Sequence, residues 1–383
     1  MAHMAQRVSH FGTTIFTEMT ALAVEYNAVN LGQGFPDFAA PDFLKEAAIQ
    51  AIQGDINQYA PASGRPRLKE AVAAKMQTIY GRSLNPHTEV VITHGATEAI
   101  FATIFGLVNP GDEVIIFEPY YDSYVPSVQM SGGIPRYYTL RPPDWAIDEA
   151  ELAALFSDKT RLILLNTPHN PTGKVFTQEE MEMIARLCQK HDVIAVADEV
   201  YEHIIFDGRS HHQIASLPGM AERSVTISSL GKTFSATGWK VGWAIASPDL
   251  VQAIFRAHQF VTFCGAAPLQ EATAAALETA DTYYTDLALN YQQKRDFLAT
   301  ALRDAGLPPL PCHGTYFLMV DISHLGFAND VEFCQHLTKN VGVAAIPPSA
   351  FYHNPADGAG VARFAFCKKQ ETLETAVHRL RQI

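Results

Sequence analysis

The sequence is poor in cysteine, in basic residues and in long apolar runs. Five cysteines in 383 residues (Cys188, Cys264, Cys312, Cys334 and Cys367) are odd in number and never spaced C-x-x-C. That pattern signals neither a disulfide framework nor a zinc site, and it reads as thiols kept in a reducing compartment. Lys and Arg total 28 against 40 Asp and Glu, a formal net charge of −12. An acidic surface repels phosphate backbones and anionic membranes, so neither nucleic acid nor membrane is expected as a partner. No run approaches the ~18 consecutive apolar residues of a membrane span, and the first residues lack the charged-then-apolar signature of a secretory signal. The expected location is the cytoplasm. Internal repeats and low-complexity linkers are also missing.

What the sequence has is core material. Apolar residues make up 48%, with 22 Phe, 14 Tyr and 3 Trp. Single cores stop growing near ~250–300 residues, so this length predicts roughly two domains. Residues 41–53, PDFLKEAAIQAIQ, space apolar positions three to four apart behind a Pro-Asp start, which predicts a helix. From about residue 89, short β-rich runs (EVVITHG, DEVIIFEP, RLILLNTP, DVIAVADEVY, SVTISSL) alternate with helical stretches such as TQEEMEMIARLCQKH. This is the βαβ rhythm of a mostly parallel sheet flanked by helices. Past residue 268 the pattern turns strongly helical, and residues 310–383 mix strands (GTYFLMVDI, ARFAFC) with helices. The fold class predicted is α/β, a large domain with a mostly parallel sheet plus a smaller α+β domain packed along a cleft.

The stretch SSLGKTFSATGWKVGW, residues 228–243, carries the most chemistry. Its Gly231-Lys232-Thr233 ends like a nucleotide P-loop, but that motif requires glycine five residues before Gly231, and Thr226 stands there. The other reading is a lysine at a strand end among small residues. A desolvated amine in such a place loses its proton and forms Schiff bases, whereas most lysines are solvated surface charges. DVIAVADEVY ends a predicted parallel strand with Asp198, followed by Tyr201, at the strand end where such sheets bind ligands; alone, Asp198 reads equally as a helix cap. Asn170, in LILLNTPHNPTG, reads by itself as an ordinary turn residue.

Together and in this order, the segments LGQGFPDF, NQYAPASG, HGATEAI, EPYYDSY, NTPHNPTG, ADEVY, SSLGKTFSATGWKVGW and ARFAF resemble the class I/II pyridoxal-phosphate aminotransferases of fold type I, across nearly the whole chain. GFPDF, GKTFSATGWKVGW and AIPPSAFY are most similar to the kynurenine aminotransferase, glutamine transaminase K and bacterial methionine aminotransferase branch. The resemblance implies that Lys232 holds pyridoxal phosphate as a Schiff base and afterwards moves the substrate proton. Asp198 matches the carboxylate that keeps the ring nitrogen protonated, Tyr201 and Asn170 match donors to the ring oxygen, and Tyr121 matches the aromatic stacked on the ring, with Tyr120 and Tyr124 as alternatives for that place.

For the phosphate, the resemblance implies the helix start Gly95-Ala96-Thr97, the Ser229 hydroxyl and Lys240, where many relatives carry arginine. Tyr59 matches the tyrosine that reaches the neighbouring subunit's phosphate, which implies a homodimer with shared active sites. Arg363 matches the arginine for the substrate α-carboxylate, helped by Gly34 and Asn170. The family division is discontinuous, with residues 41–285 forming the large domain and 1–40 joining 286–383 as the small domain and N-terminal arm.

No second arginine matches the position that binds a distal carboxylate, and the candidate pocket residues Phe16, Tyr59, Phe263 and Tyr26 are aromatic. An apolar pocket favours neutral or aromatic amino acids such as methionine, glutamine, phenylalanine or kynurenine. Cys264 stands where the kynurenine-type enzymes align a histidine, which counts more against kynurenine than against methionine or glutamine. Histidines, His211-His212 included, lack metal-ligand spacing, so no metal is expected. Two rival readings remain at this level. One is a carbon–sulfur β-lyase on the same scaffold, and the other is a non-catalytic cofactor-binding regulator, which the acidic charge disfavours.

Overall fold

A computed structural model describes residues 3–279 and 281–382 of the chain. In chain order the strands are β1 (Val29–Asn30), β2 (Val90–Thr93), β3 (Glu113–Glu118), β4 (Ile134–Thr139), β5 (Thr160–Asn166), β6 (Ile194–Asp198), β7 (Ser224–Ser229), β8 (Gly242–Ala246), β9 (Phe317–Asp321), β10 (Val343–Ala344) and β11 (Val361–Ala365). Seven of them form the central sheet in the order β2-β8-β7-β6-β5-β3-β4. The pairs among β4, β3, β5, β6 and β7 are all parallel. Only β8 runs against its neighbours β2 and β7.

The central strands are buried along their length, Arg161 excepted, because helices cover both faces. On one face the helices Gly95–Leu107 and Pro248–Val261 pack over Val114, Leu164, Val196 and Ile227. On the other, Gln178–His191 packs Met181, Ile184 and Leu187 over Ile163 and Ala195. That last helix starts where its sequence says it should, since Thr177 and Glu180 form a reciprocal capping box.

Two strands of the central sheet escape the periodicity reading, as do the two-residue strands β1 and β10. Strand β4 is an edge strand with one buried residue and a proline, and β8 is hidden inside the glycine- and lysine-rich motif that precedes it. The N-terminal segment leaves the sheet region altogether. Strand β1 pairs in parallel with β10, and Met19 and Leu31 enter a second core with Leu298, Phe333, Phe364 and Val377. Strands β9 and β11 form an antiparallel pair in the same region.

Among the described residues no helix is long and apolar enough to cross a membrane. Four cysteines are buried and Cys264 is half-buried, and all five are free thiols.

Candidate active site

The parallel strands deliver their C-terminal ends to one place. Asn166 ends β5, Asp198 ends β6, Ser229 ends β7, and β2 runs directly into the helix that starts at Gly95. In open α/β sheets ligands bind at this edge. A cavity of about 150 Å³ opens there, lined by Gly95, Ala96, Thr97, Tyr121, Asn170, Asp198, Tyr201, Ser229, Lys232 and Lys240.

Asp198 is 4% exposed. Tyr124 Oη donates to its Oδ2 at 2.7 Å, and Asn166 Nδ2 donates to its backbone carbonyl at 2.9 Å. Burial pushes the carboxyl up to about 6, with the Tyr124 hydrogen bond and the Lys232 charge pulling the other way. Asn166 also accepts from Asn170 N–H at 2.7 Å, so one amide aligns the ends of β5 and β6.

Lys232 sits in the single helical turn Leu230–Thr233 just past β7. Its Nζ donates to Tyr316 Oη at 2.9 Å, and Tyr316 in turn donates to the Gly34 carbonyl at 2.6 Å. Burial lowers the amine to about 8; Lys240 and Arg363 act in the same direction, opposed by Asp198. Among the described residues no carboxylate makes a hydrogen bond or ion pair with the amine, which therefore loses its proton readily.

Gly95 adopts φ +78°, and a Cβ there would lie 3.3 Å from Lys240 Nζ. Glycine keeps that space open at the positive end of a 13-residue helix. Gly242 serves the same end from β8, since a Cβ there would come 2.7 Å from Ala96 N. Any larger residue would push the helix start off the sheet.

A second cavity, about 240 Å³, adjoins the first and shares Tyr121, Asn170, Tyr201 and Lys232. Its floor is Arg363, 2% exposed on β11. Arg363 donates to Asn170 Oδ1 at 3.2 Å and to the Gly32 carbonyl at 2.9 Å, while its buried Nε has no partner among the described residues. Phe16, Phe317 and Phe351 surround the guanidinium at 4.2–5.5 Å. Gly34 and Phe16 line this cavity.

Two sequence-level candidates stand elsewhere. Tyr59, 83% exposed, and Phe263, 48% exposed, meet edge to face at 5.4 Å and line neither cavity of their own chain. The loop carrying Tyr59 is held by His258, whose Nε2 meets the Ala62 carbonyl at 2.8 Å and whose Nδ1 meets Glu98 at 3.0 Å. Of the three tyrosines considered for stacking, Tyr121 lines both cavities and Tyr124 is committed to Asp198. Sequence reasoning missed Tyr316, Asn166, Asp122 and Gln33. An aromatic in an apolar strand such as GTYFLMVDI carries no signal that separates a site residue from core.

The family model for aminotransferase class I and II matches residues 26–380. The chain belongs to that family. Over 377 residues it is 45% identical to the methionine aminotransferase of Escherichia coli, covering 98% of this chain and 97% of the relative. It is 43% identical to a kynurenine–oxoglutarate transaminase of Dictyostelium discoideum, covering 97% and 94%. A solved E. coli structure described as a methionine aminotransferase superposes with a TM-score of 0.97 at 44% identity over the full length of both chains. The N-succinyldiaminopimelate aminotransferase of Mycobacterium tuberculosis follows at 0.96 and 42%, covering 99% of each chain.

The protein is thus a fold type I aminotransferase, an enzyme that depends on pyridoxal phosphate. These relatives give the carbon–sulfur lyase reading no support over transamination. The donor set fits the cofactor. A buried carboxylate and the amine of half-buried Lys232 face one cavity, and beside them a glycine-opened helix start with a lysine offers an anion cradle.

Proposed function

We propose that this aminotransferase takes its amino group from a neutral or aromatic L-amino acid of the methionine, glutamine, phenylalanine or kynurenine type. It passes the nitrogen to a 2-oxo acid in ping-pong order, as a cytoplasmic homodimer with shared active sites. The observation that carries the substrate class is the single guanidinium in an aromatic cavity. Arg363 is the only arginine lining either cavity among the described residues, and Phe16, Phe35 and Phe317 form the walls. The E. coli and Dictyostelium relatives, named for methionine and kynurenine, support the same class.

The residues divide the work as follows. Pyridoxal phosphate, when bound, supplies a conjugated ring that accepts the electron pair released at the substrate α-carbon. Lys232 attaches the cofactor and, once freed, carries a proton to and from the substrate α-carbon; its lowered pKa keeps a useful fraction of free amine near neutral pH. Asp198 holds a proton on the ring nitrogen. Tyr201 and Asn170 donate to the ring oxygen, and Tyr121 covers the ring. Gly95, Ala96, Thr97, Ser229 and Lys240 hold the phosphate, and Tyr59 reaches the phosphate in the partner subunit.

Arg363 pairs with the substrate α-carboxylate through its fork, aided by Gly34 and Asn170. Phe16 shapes the side-chain pocket of its own chain, and Phe263, on an exposed loop, shapes that of the partner subunit. Residues 41–285 act as the cofactor-binding domain, with 1–40 and 286–383 as the small domain. Exposed aromatics at Tyr59, Phe260 and Phe263 support a subunit interface on that side.

Initial rates with a donor panel and one oxo acid test this reading. Parallel double-reciprocal lines are expected, and lines intersecting at all concentrations would overturn the ping-pong order. Lys232→Ala should lose turnover by ~10³-fold or more and lose borohydride trapping of the cofactor; full activity in that variant refutes the assignment. Sedimentation equilibrium should give a dimer, and an active monomer would refute shared sites.

A further inference from the structure

The cavity at Arg363 also contains a carboxylate to which the reading above gives no work. Asp122 follows Tyr121 in EPYYDSY and lines the cavity with Gln33, Phe35, Lys232 and Arg363. Among the described residues no side chain donates a hydrogen bond to its carboxylate; the backbone N–H groups of Asp122 and Ser123 and the charge of Arg363 favour its ionised form. Burial raises its pKa and the Arg363 charge opposes that rise. A half-buried carboxylate with no donor side chain costs the fold free energy, and such costs gather at functional sites.

Gln33 is arranged to match. Its Nε2 donates to the Phe16 carbonyl at 3.1 Å and to Thr20 Oγ1 at 2.6 Å, so both amide hydrogens are committed and the carbonyl oxygen is what it can offer. With Lys232 given to the cofactor and Arg363 to the α-carboxylate, Asp122 and Gln33 remain among the described lining side chains as two acceptors, one of them charged.

We infer that Asp122 sets the charge rule of the substrate pocket: its carboxylate rejects a second, distal carboxylate and, with Gln33, favours neutral side chains, above all those bringing an N–H donor. Repulsion of like charges in a partly desolvated cavity is a rejecting element, acting beside the attraction of the aromatic walls. The inference rests on the assignment of Arg363 to the α-carboxylate.

Glutamine and glutamate make a near-isosteric donor pair that differs in charge. With the holoenzyme, Asp122→Asn should raise kcat/KM for glutamate relative to glutamine by ~10-fold or more, chiefly through KM. Asp122→Glu, which keeps the charge, should hold the wild-type ratio. Raising the ionic strength should narrow the wild-type ratio and leave that of Asp122→Asn unchanged. A ratio that moves by less than about twofold in Asp122→Asn, or that relaxes as far in Asp122→Glu, overturns the inference.

If Asp122→Asn fails to fold, inhibition of the wild-type holoenzyme by succinate and by its half-amide is compared across ionic strength. A preference for the half-amide that weakens with salt supports the inference, and a salt-independent ratio overturns it. A wild type that turns over glutamate faster than glutamine refutes the neutral donor class, whereas the role of Asp122 is judged on the change from Asp to Asn.

Discussion

Replacing Asp198 by Asn should make the cofactor-free protein more stable and the enzyme inactive. Asp198 is 4% exposed, and burial holds its carboxyl at about 6 against an ordinary 3.8. Because the folded pKa lies above the unfolded one, the folded state binds more protons between these two values. Stability of the apo form therefore falls as pH rises from about 3.8 to about 6, and the loss is complete above that window. At ~1.36 kcal/mol per pKa unit the loss is about 3 kcal/mol, and Asn, which keeps the acceptor for Tyr124 Oη, removes it.

Urea unfolding of apo wild type and apo Asp198→Asn at pH 5, 6 and 7.5 measures the difference. The variant should gain on the wild type as pH rises, reaching about 3 kcal/mol at pH 7.5, while its turnover with any donor falls by orders of magnitude. Equal stability of the two proteins at pH 7.5, with no pH dependence in their difference, would refute the desolvation argument. The opposite signs of the two effects matter, because simple misfolding would lower both.

Further outcomes follow from the same geometry. Arg363→Lys keeps the charge and loses the planar fork that binds Asn170 and the Gly32 carbonyl, so kcat/KM should drop by ~10²-fold with all donors alike in steady-state assays. A drop confined to one donor would argue that Arg363 reads the side chain instead. Away from the site, Lys75 Nζ meets Glu202 Oε1 at 2.6 Å with both side chains buried, and Tyr80 and Ser228 donate to the same carboxylate. Burial raises the Glu202 pKa, but the charge and hydrogen bond of Lys75 outweigh it and hold the group well below the ordinary range. Lys75→Met should therefore destabilise the protein by ~3–5 kcal/mol at pH 7 in urea melts. With the depressed pKa lost, the penalty should shrink as acid protonates Glu202; a cost below ~1 kcal/mol would mean that the hydroxyls alone carry the carboxylate.

Much of the site was legible in the linear order of residues, for physical reasons. The candidate amine was marked by a strand end and small neighbours, since Lys232 stands between Gly231 and the Ser- and Gly-rich turn that follows. A carboxylate at a sheet's ligand edge must end a buried strand, and Asp198 does. The helix start at Gly95 was marked by a strand running straight into glycine. Strand β4 was not marked, because an edge strand half in solvent needs little apolar pattern, and β8 was masked by the motif that it completes.

What the sequence by itself determined is therefore the family and its cofactor, since these depend on local residue types in a long irregular order. The tertiary structure alone decided how the site's groups act on one another. Tyr316 reaches Lys232 from 84 residues away, and the Gly32 carbonyl fixes Arg363 across 331 residues. Asp122 and Arg363 become partners in one cavity only when β11 is brought against the segment that follows β3. Burial, distance and field strength are properties of the packed chain. They turn an ordinary lysine, aspartate and arginine into an amine near pKa 8, a carboxyl near 6 and a guanidinium with an edge to spare.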